Sequence, residues 1–524
     1  MSQQDLFAGL DVSTQSCKIV VIDLRERAVL HVDSVNYDND LPHYGTREGA
    51  VADPEEGTSE SDPRMWIEAV ELLFHRMRES GIELRRIGCM SVSGQQHGLV
   101  ALDGDGNLAR PLSKLWNDFS TADECRLLTE RVGGPGRMIE EIGNTQRPGY
   151  TAPKIFHMVR HEPETYERTA TLFLVHNYIN WYLTGGVITM EPGDTSGMAL
   201  WSPVSRDWSR KVVEAIDPGL LRKLPPVKPS DGTIGTAGTS LVEAFGFSPD
   251  CRIDAGSGDN MYGAVGTGNF VPGIVTVSLG TSGTAYTFLE EPYVDPAGEI
   301  AAFCDSTGHH LPLLCVSNMS NGYTAILDQF GLSHRDFDSI IRETGPGNGG
   351  RILVPWYEGE RTPDLPNATP VYFGFGPGDF NVRVLCRAVL EGHVLNLWNG
   401  FSRMPVEPVE IRLTGGLAGS PSWRQMIADV FGAETVPVKG EGAALGAAIH
   451  AAWVWSKESG SGLSLGEIAE PFVAPEEKER KKPSPEHAEV YGVVRRLFRA
   501  VSERARGLEC EDPFALRTEL LRLL

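Results

Sequence analysis

Apolar residues dominate from Leu6 to Val12, break off at Ser13-Thr14-Gln15-Ser16, and resume from Lys18 to Leu24. Two short apolar runs joined by a polar turn predict a hairpin inside a buried sheet, with Asp11 next to the turn. From Asp62, with Pro63 suited to the first helical position, Trp66, Ala69, Val70, Leu73 and Met77 recur at a 3.6-residue period up to Gly81 and predict an amphipathic helix. A strand over 87–92 leads into the loop Ser93-Gly94-Gln95-Gln96-His97-Gly98, and Leu115-Trp116-Asn117-Asp118 precedes a helix from about Ser120. Residues 143–154 have the glycine and prolines of a long loop, with Arg147 within it, and a helix follows through Arg160. The Pro-, Gly-, Ser- and Thr-rich region 217–249 predicts the approach to a domain boundary.

A strand over 251–255 then ends in Gly256-Ser257-Gly258-Asp259-Asn260, just before a helix start. A carboxylate there is expected to be exposed and kept ionised by the helix dipole, as a cap, a base or a ligand for a hard cation. The run Val275–Leu279, with Gly280-Thr281-Ser282 and a return at Gly283-Thr284, repeats the order seen at residues 10–15: apolar strand, turn of small hydroxyl residues, return strand. Small residues let successive N–H groups converge on an anion. Asp11 has its counterpart in Ser278, so the first turn suits a metal as well as phosphate and the second only phosphate. A third glycine turn, Thr414-Gly415-Gly416, follows the alternating strand Val409, Ile411 and Leu413, and a helix runs from Ser420-Pro421 to Gly432. The Ala- and Gly-rich stretch 442–455 predicts a closely packed helix, 475–487 a solvated charged linker, and Val490, Val494, Leu497 and Val501 an amphipathic helix.

Composition narrows the classes. A chain of 524 residues exceeds a single core, and two large domains are expected. With 70 acidic against 47 basic residues, the net charge of -23 argues against a nucleic-acid partner or an anionic membrane surface. The eight cysteines include no C-x-x-C pair, which argues against a disulfide framework or a zinc site among them and for buried thiols. No apolar run approaches the ~20 residues of a membrane span, and the first residues lack a basic segment and long apolar core. A cytoplasmic protein is expected.

Three turns suited to phosphates and a nucleoside, with acidic residues at strand ends and no G-x-x-x-x-G-K-[ST] string, describe a phosphoryl-transfer site. The ordered series Asp11-Val12-Ser13-Thr14, Gly94-Gln95-Gln96-His97-Gly98, Trp116-Asn117-Asp118, Gly258-Asp259-Asn260, Ser278-Leu279-Gly280-Thr281-Ser282, Gly359-Glu360-Arg361-Thr362-Pro363 and Thr414-Gly415-Gly416 resembles the FGGY carbohydrate kinases, among them the xylulokinases. The resemblance implies an α/β fold of two ribonuclease H-like domains, of the actin and hexokinase ATPase type, flanking an active-site cleft. It implies a sugar-side domain over 1–262, a nucleotide-side domain over 263–470, and a charged linker and helical segment over 471–524. By position, Asp259 becomes the base that takes the proton of the sugar hydroxyl, with Asn260 beside it. Gln96, His97, Trp116, Asn117 and Asp118 line the sugar pocket. Asp11 helps to hold Mg²⁺ through water, Ser13, Thr14, Lys18, Gly280 and Thr281 face the phosphates, and Gly415 and Gly416 the adenosine. The implied ligands are ATP, Mg²⁺ and a small sugar, D-xylulose, phosphorylated at O5. Neither nucleic acid nor membrane is expected, and a homodimer is left open.

Ser13, Gln15 and Leu417 depart from the family's usual small residues, which leaves the phosphate contacts open. Another ketopentose, a polyol or glycerol is the alternative substrate. A non-catalytic, actin-like nucleotide-binding protein is the alternative from another class, and Asp259 argues against it, since such a protein needs no base.

Overall fold

The computed structural model describes residues 4–52, 54–440 and 442–524. They form two compact α/β units. The first takes the described residues up to Phe270, with Leu289–Leu311 and Gly440–Ala474, and the second takes Val271–Phe288, Pro312–Lys439 and Pro475–Leu524.

The sheet of the first unit is built on the expected hairpin, in which Leu6–Val12 pairs antiparallel with Ser16–Asp23. Leu6–Val12 also pairs in parallel with Ile87–Gly94, which pairs in parallel with Arg252–Asp254. Ala28–Asn36 and Thr233–Thr236 form the edges. Alternation explains why these strands are apolar throughout: the sheet is covered on both faces. Leu6, Ala8, Leu10 and Val12 pack with Trp66, Val70 and Leu73 of the helix Pro63–Glu79, while Phe7, Val20 and Ile22 pack with Tyr262 and with Ala444, Ala447 and Ala448 of the helix Gly442–Ser459. Each such buried large side chain contributes about 1.5–3 kcal/mol. The Pro63–Glu79 helix is capped by Asp62, which accepts from Arg64 N at 2.9 Å.

The small residues of Gly442–Ser459 allow this helix to lie against the sheet. A Cβ on Gly9 would sit 2.1 Å from the Ala444 carbonyl oxygen, so the strand and helix backbones meet there directly. The contact lies within the first unit, which also takes in the described residues of 442–474.

The second unit repeats the plan. Ile274–Leu279 and Gly283–Thr287 form a hairpin, Ile274–Leu279 pairs in parallel with Glu410–Thr414, and that strand with Glu434–Lys439. Asp11 lies opposite Lys18 and Ser93, and Ser278 opposite Thr284 and Thr414, so the register bears out the correspondence of Asp11 with Ser278.

Two segments carry more structure than composition suggests. Residues 217–249, ahead of the division at Phe270, belong to the first unit: Thr233–Thr236 is a sheet edge, and the helix Thr239–Phe245 buries Leu241 and Phe245 in the first core. The run 475–487 is not simply a solvated linker. Arg480 bonds Glu410 at 2.6 Å and Glu434 at 3.2 Å, and the Lys481 backbone pairs with Thr435, so opposite charges fasten it to the second sheet. Six cysteines are buried, and Cys315 and Cys510 are half-exposed. No described helix is long and apolar enough to cross a membrane.

Candidate active site

Three strand ends lie side by side in the first unit. Asp11 and Val12 are in register with Ser93 and Gly94, and Ser257 and Gly258 with the same pair from the other side. The loops leaving these strands therefore share one edge of the sheet. Asp11 accepts from Ser13 Oγ and Ser93 Oγ, each at 2.7 Å. Burial raises its pKa, while both hydroxyls and the charge of Lys18 pull the other way.

Asp259 is the first residue of the helix Asp259–Gly266, after Gly258 in the cap position. Its Oδ1 accepts from Asn260 N at 2.7 Å and Asn260 Nδ2 at 3.0 Å. The side chain is half-buried rather than exposed, and its pKa rises to about 7 through burial and the charges of Asp11 and Asp194. The expectation of a carboxylate held fully ionised by the helix start is corrected: burial beside two other carboxylates outweighs the dipole. This surplus of negative charge, with oxygen donors, fits a hard divalent cation at Asp11.

Asn260 Nδ2 also donates to Gln96 Oε1 at 2.8 Å, and Gln96 Nε2 is buried without a partner among the described residues. His97 takes a left-handed backbone, φ 65°, and its ring lies 4.6 Å from Tyr150 and 6.1 Å from Phe303 between centroids. Trp116 is 40% exposed, and its Nε1 donates to Thr14 Oγ1 at 2.9 Å, which ties this loop to the first hairpin. Asn117 is half-buried, with Oδ1 lacking a partner among the described residues.

Asp118 differs from its neighbours. It is fully buried and accepts from Ser59 N at 3.0 Å, Ser120 Oγ at 2.5 Å and Lys114 Nζ at 3.2 Å. Burial pushes its pKa up, and these partners more than offset that. The structure thus finds Asp118 supporting the loop that carries Trp116 and Asn117, with its oxygens already engaged. Arg147 is likewise occupied, donating to the Gly298 carbonyl at 3.1 Å.

Sequence reasoning missed several supporting groups. Lys154 is buried and donates to the carbonyls of His97 at 2.7 Å and Gly149 at 2.6 Å, while burial drives its pKa down to about 7. Glu191 caps the turn that carries Asp194 and accepts from Ser257 Oγ at 3.0 Å. Asp194 bonds His176 Nδ1 at 3.0 Å. The Glu191-Pro192 pair signals a helix start, but nothing local in it points to Asp259.

In the second unit Gly280, Thr281, Gly415 and Gly416 are exposed at adjacent strand ends. Gly415 has φ 85°, and a Cβ there would lie 2.6 Å from the Leu279 carbonyl oxygen, so the two glycine turns abut. The Thr281 carbonyl accepts from Met319 N at 3.0 Å and Ser320 N at 3.2 Å. The structure thus gathers the predicted residues into two groups, one per unit. Asp11, Ser13, Thr14, Lys18, Gln96, His97, Trp116, Asn117, Asp118, Asp259 and Asn260 belong to the first, and Gly280, Thr281, Gly415 and Gly416 to the second.

The N-terminal domain profile of the FGGY family of carbohydrate kinases matches residues 6–266, and the C-terminal domain profile matches 275–455. The xylulose kinase of Haemophilus influenzae is 33% identical over 492 residues, covering 91% of this chain and 96% of that protein. The xylulose kinase of Mus musculus is 29% identical over 524 residues, covering 95% and 94%. Among solved structures, xylulose kinase from Bifidobacterium adolescentis superposes with a TM-score of 0.79 at 26% identity, over 94% of this chain and 100% of that one. Glycerol kinase from Plasmodium falciparum with ADP shares the fold, with a TM-score of 0.75 at 18% identity over 89% and 92%.

Proposed function

Because the chain belongs to the FGGY family of carbohydrate kinases, phosphotransferases that act on an alcohol group, we propose that it transfers the γ-phosphoryl group of ATP to O5 of D-xylulose in the cytoplasm. The products are D-xylulose 5-phosphate and ADP. The names of its relatives support this substrate. The observation that carries the mechanism is the Asp259 carboxylate, whose pKa near 7 suits a base working at neutral pH and whose neighbour Asn260 bonds Gln96.

In this mechanism Asp259 accepts the proton of the O5 hydroxyl as O5 bonds to the γ-phosphorus and the bond to the ADP oxygen breaks. Asn260 holds Oδ1, so the proton goes to Oδ2. Gln96, through its Nε2, which has no partner among the described residues, and Asn117, through its Oδ1, offer one donor and one acceptor to sugar hydroxyls, and His97 and Trp116 give the pocket flat walls. Asp11 would hold Mg²⁺, which supplies charge neutralisation at the phosphates. Ser13, Thr14, Lys18, Gly280 and Thr281 take the phosphate side, and Gly415 and Gly416 the adenosine.

The test is ADP release from Mg-ATP with a panel of ketoses, polyols and glycerol. D-Xylulose is expected to give the highest kcat/KM. A rate on D-xylulose equal to the sugar-free rate refutes the proposal, and preference for glycerol moves the assignment within the family.

A further inference from the structure

A second group of ligand-type side chains lies where the helix Thr151–His161 packs on the helix Ala122–Val132. His157 and His161 are four residues apart, so they share a helix face, and their ring centroids are 4.5 Å apart. Glu124, 2% exposed, approaches them from the other helix. Its Oε1 is 3.2 Å from His161 Nε2, and its Oε2 is 3.9 Å from His157 Nδ1. One ligand atom from each residue lies within 4.8 Å of the other two. A hydrogen bond accounts for His161. It does not account for His157, whose buried Nδ1 faces the same carboxylate beyond hydrogen-bond distance and has no partner among the described residues.

We propose that Glu124, His157 and His161 bind a divalent transition-metal ion of the Zn²⁺ class. Two imidazoles and one carboxylate with an open fourth position select such an ion over Mg²⁺ or Ca²⁺, which take oxygen ligands. Tetrahedral coordination at about 2.0 Å spaces ligand atoms ~3.3 Å apart. Glu124 Oε1 and His161 Nε2 already meet that spacing, Glu124 Oε2 and His157 Nδ1 exceed it by ~0.6 Å, and with ligand atoms within 4.8 Å of one another the three side chains close on one ion by adjustments of up to ~1.5 Å. His161 ends its helix, where the negative end of the dipole favours a cation. His157 also lines a cavity of about 460 Å³ whose wall sets Glu55, Glu56, Glu60 and Glu162 against Arg110 and Lys114, with Arg110 paired to Glu60 and Glu162, so that acidic groups outnumber basic ones along it.

Opposing charge comes from Arg160, which bonds Glu124 Oε1, and from Lys114, which lines the same cavity but is bound to Asp118 and Glu60. Arg160 is one-third exposed and lies over the Phe156 ring, and in this proposal the metal replaces it on the carboxylate. Loss of Arg160 should therefore strengthen binding.

The experiment is calorimetric titration of the metal-stripped full-length protein with Zn²⁺, with Co²⁺ absorption spectra to report coordination. One ion is expected to bind with a micromolar dissociation constant and to give the ligand-field bands of a four-coordinate site. The double variant His157→Gln/His161→Gln should weaken this binding by about tenfold or more, and Arg160→Gln should tighten it several-fold. Circular dichroism matching the wild type shows that each variant is folded. Equal Zn²⁺ binding by wild type and double variant, or none by the wild type, overturns the proposal. So does weaker binding by Arg160→Gln.

Discussion

Replacing Asp259 by asparagine removes a buried charge without changing the shape of the side chain, and its effect on stability has a calculable dependence on pH. In the folded protein the carboxyl pKa rises from 3.8 to about 7, through burial and the charges of Asp11 and Asp194. At 1.36 kcal/mol for each tenfold change, ionised Asp259 costs the fold up to about 4 kcal/mol at pH 8, an upper bound because solvent reaches part of the group. The sign follows from the raised folded pKa. Between pH 3.8 and 7 the folded state keeps a proton that the unfolded chain has released, so stability falls as pH rises through that window. The substituted amide cannot titrate, and its Oδ1 still accepts from Asn260. The gap in stability between Asp259→Asn and wild type should therefore widen by about 2 kcal/mol between pH 5.5 and pH 8, or ~4 °C in Tm for a unit of this size. Differential scanning calorimetry in chelator, without nucleotide, reads it. A gap that stays constant or narrows with rising pH would refute the assignment of Asp259 as a destabilised, high-pKa carboxyl.

Two further substitutions probe the groups around it. Lys154→Met removes the donor shared by the His97 and Gly149 carbonyls, and it should raise the KM for sugar about tenfold, as the loss of buried hydrogen bonds implies. The KM for ATP should stay within about twofold, and equal rises in both would show that Lys154 acts only on overall stability. Gly415→Ala puts a Cβ 2.6 Å from the Leu279 carbonyl at a left-handed φ. It should weaken ATP binding about tenfold at unchanged sugar affinity, read by calorimetry. Unchanged ATP affinity would remove this turn from the nucleotide site.

The parts of this fold that the sequence made legible are those governed by short-range periodicity. Two apolar runs around a polar turn give the hairpin at 6–24, helical period gives the helices that carry Trp66 to Met77 and Val490 to Val501, and the paired hairpins reveal that Asp11 and Ser278 correspond. The strand-to-helix turn at Asp259 is legible for the same reason. Its charge state is not, because Asp11 and Asp194 reach it from distant segments and burial is a property of the assembled sheet. Asp118 shows the same limit: a carboxylate in a ligand-rich motif looks like a pocket residue until Ser59, Lys114 and Ser120 are seen around it. Residues 475–487 look solvated by composition, and only the acidic residues of neighbouring strands show Arg480 to be bound. Lys154 had no signal at all, since its partners are backbone carbonyls.

The central claim, phosphoryl transfer to O5 with Asp259 as base, is tested most directly by following Mg-ATP and D-xylulose by phosphorus NMR with the wild type and with Asp259→Ala. The wild type should build one phosphomonoester signal, coupled to the C5 protons, in step with ADP. Asp259→Ala should still bind ATP and form no such signal. No ester from the wild type, an ester on another carbon, or full turnover by the variant would contradict the account.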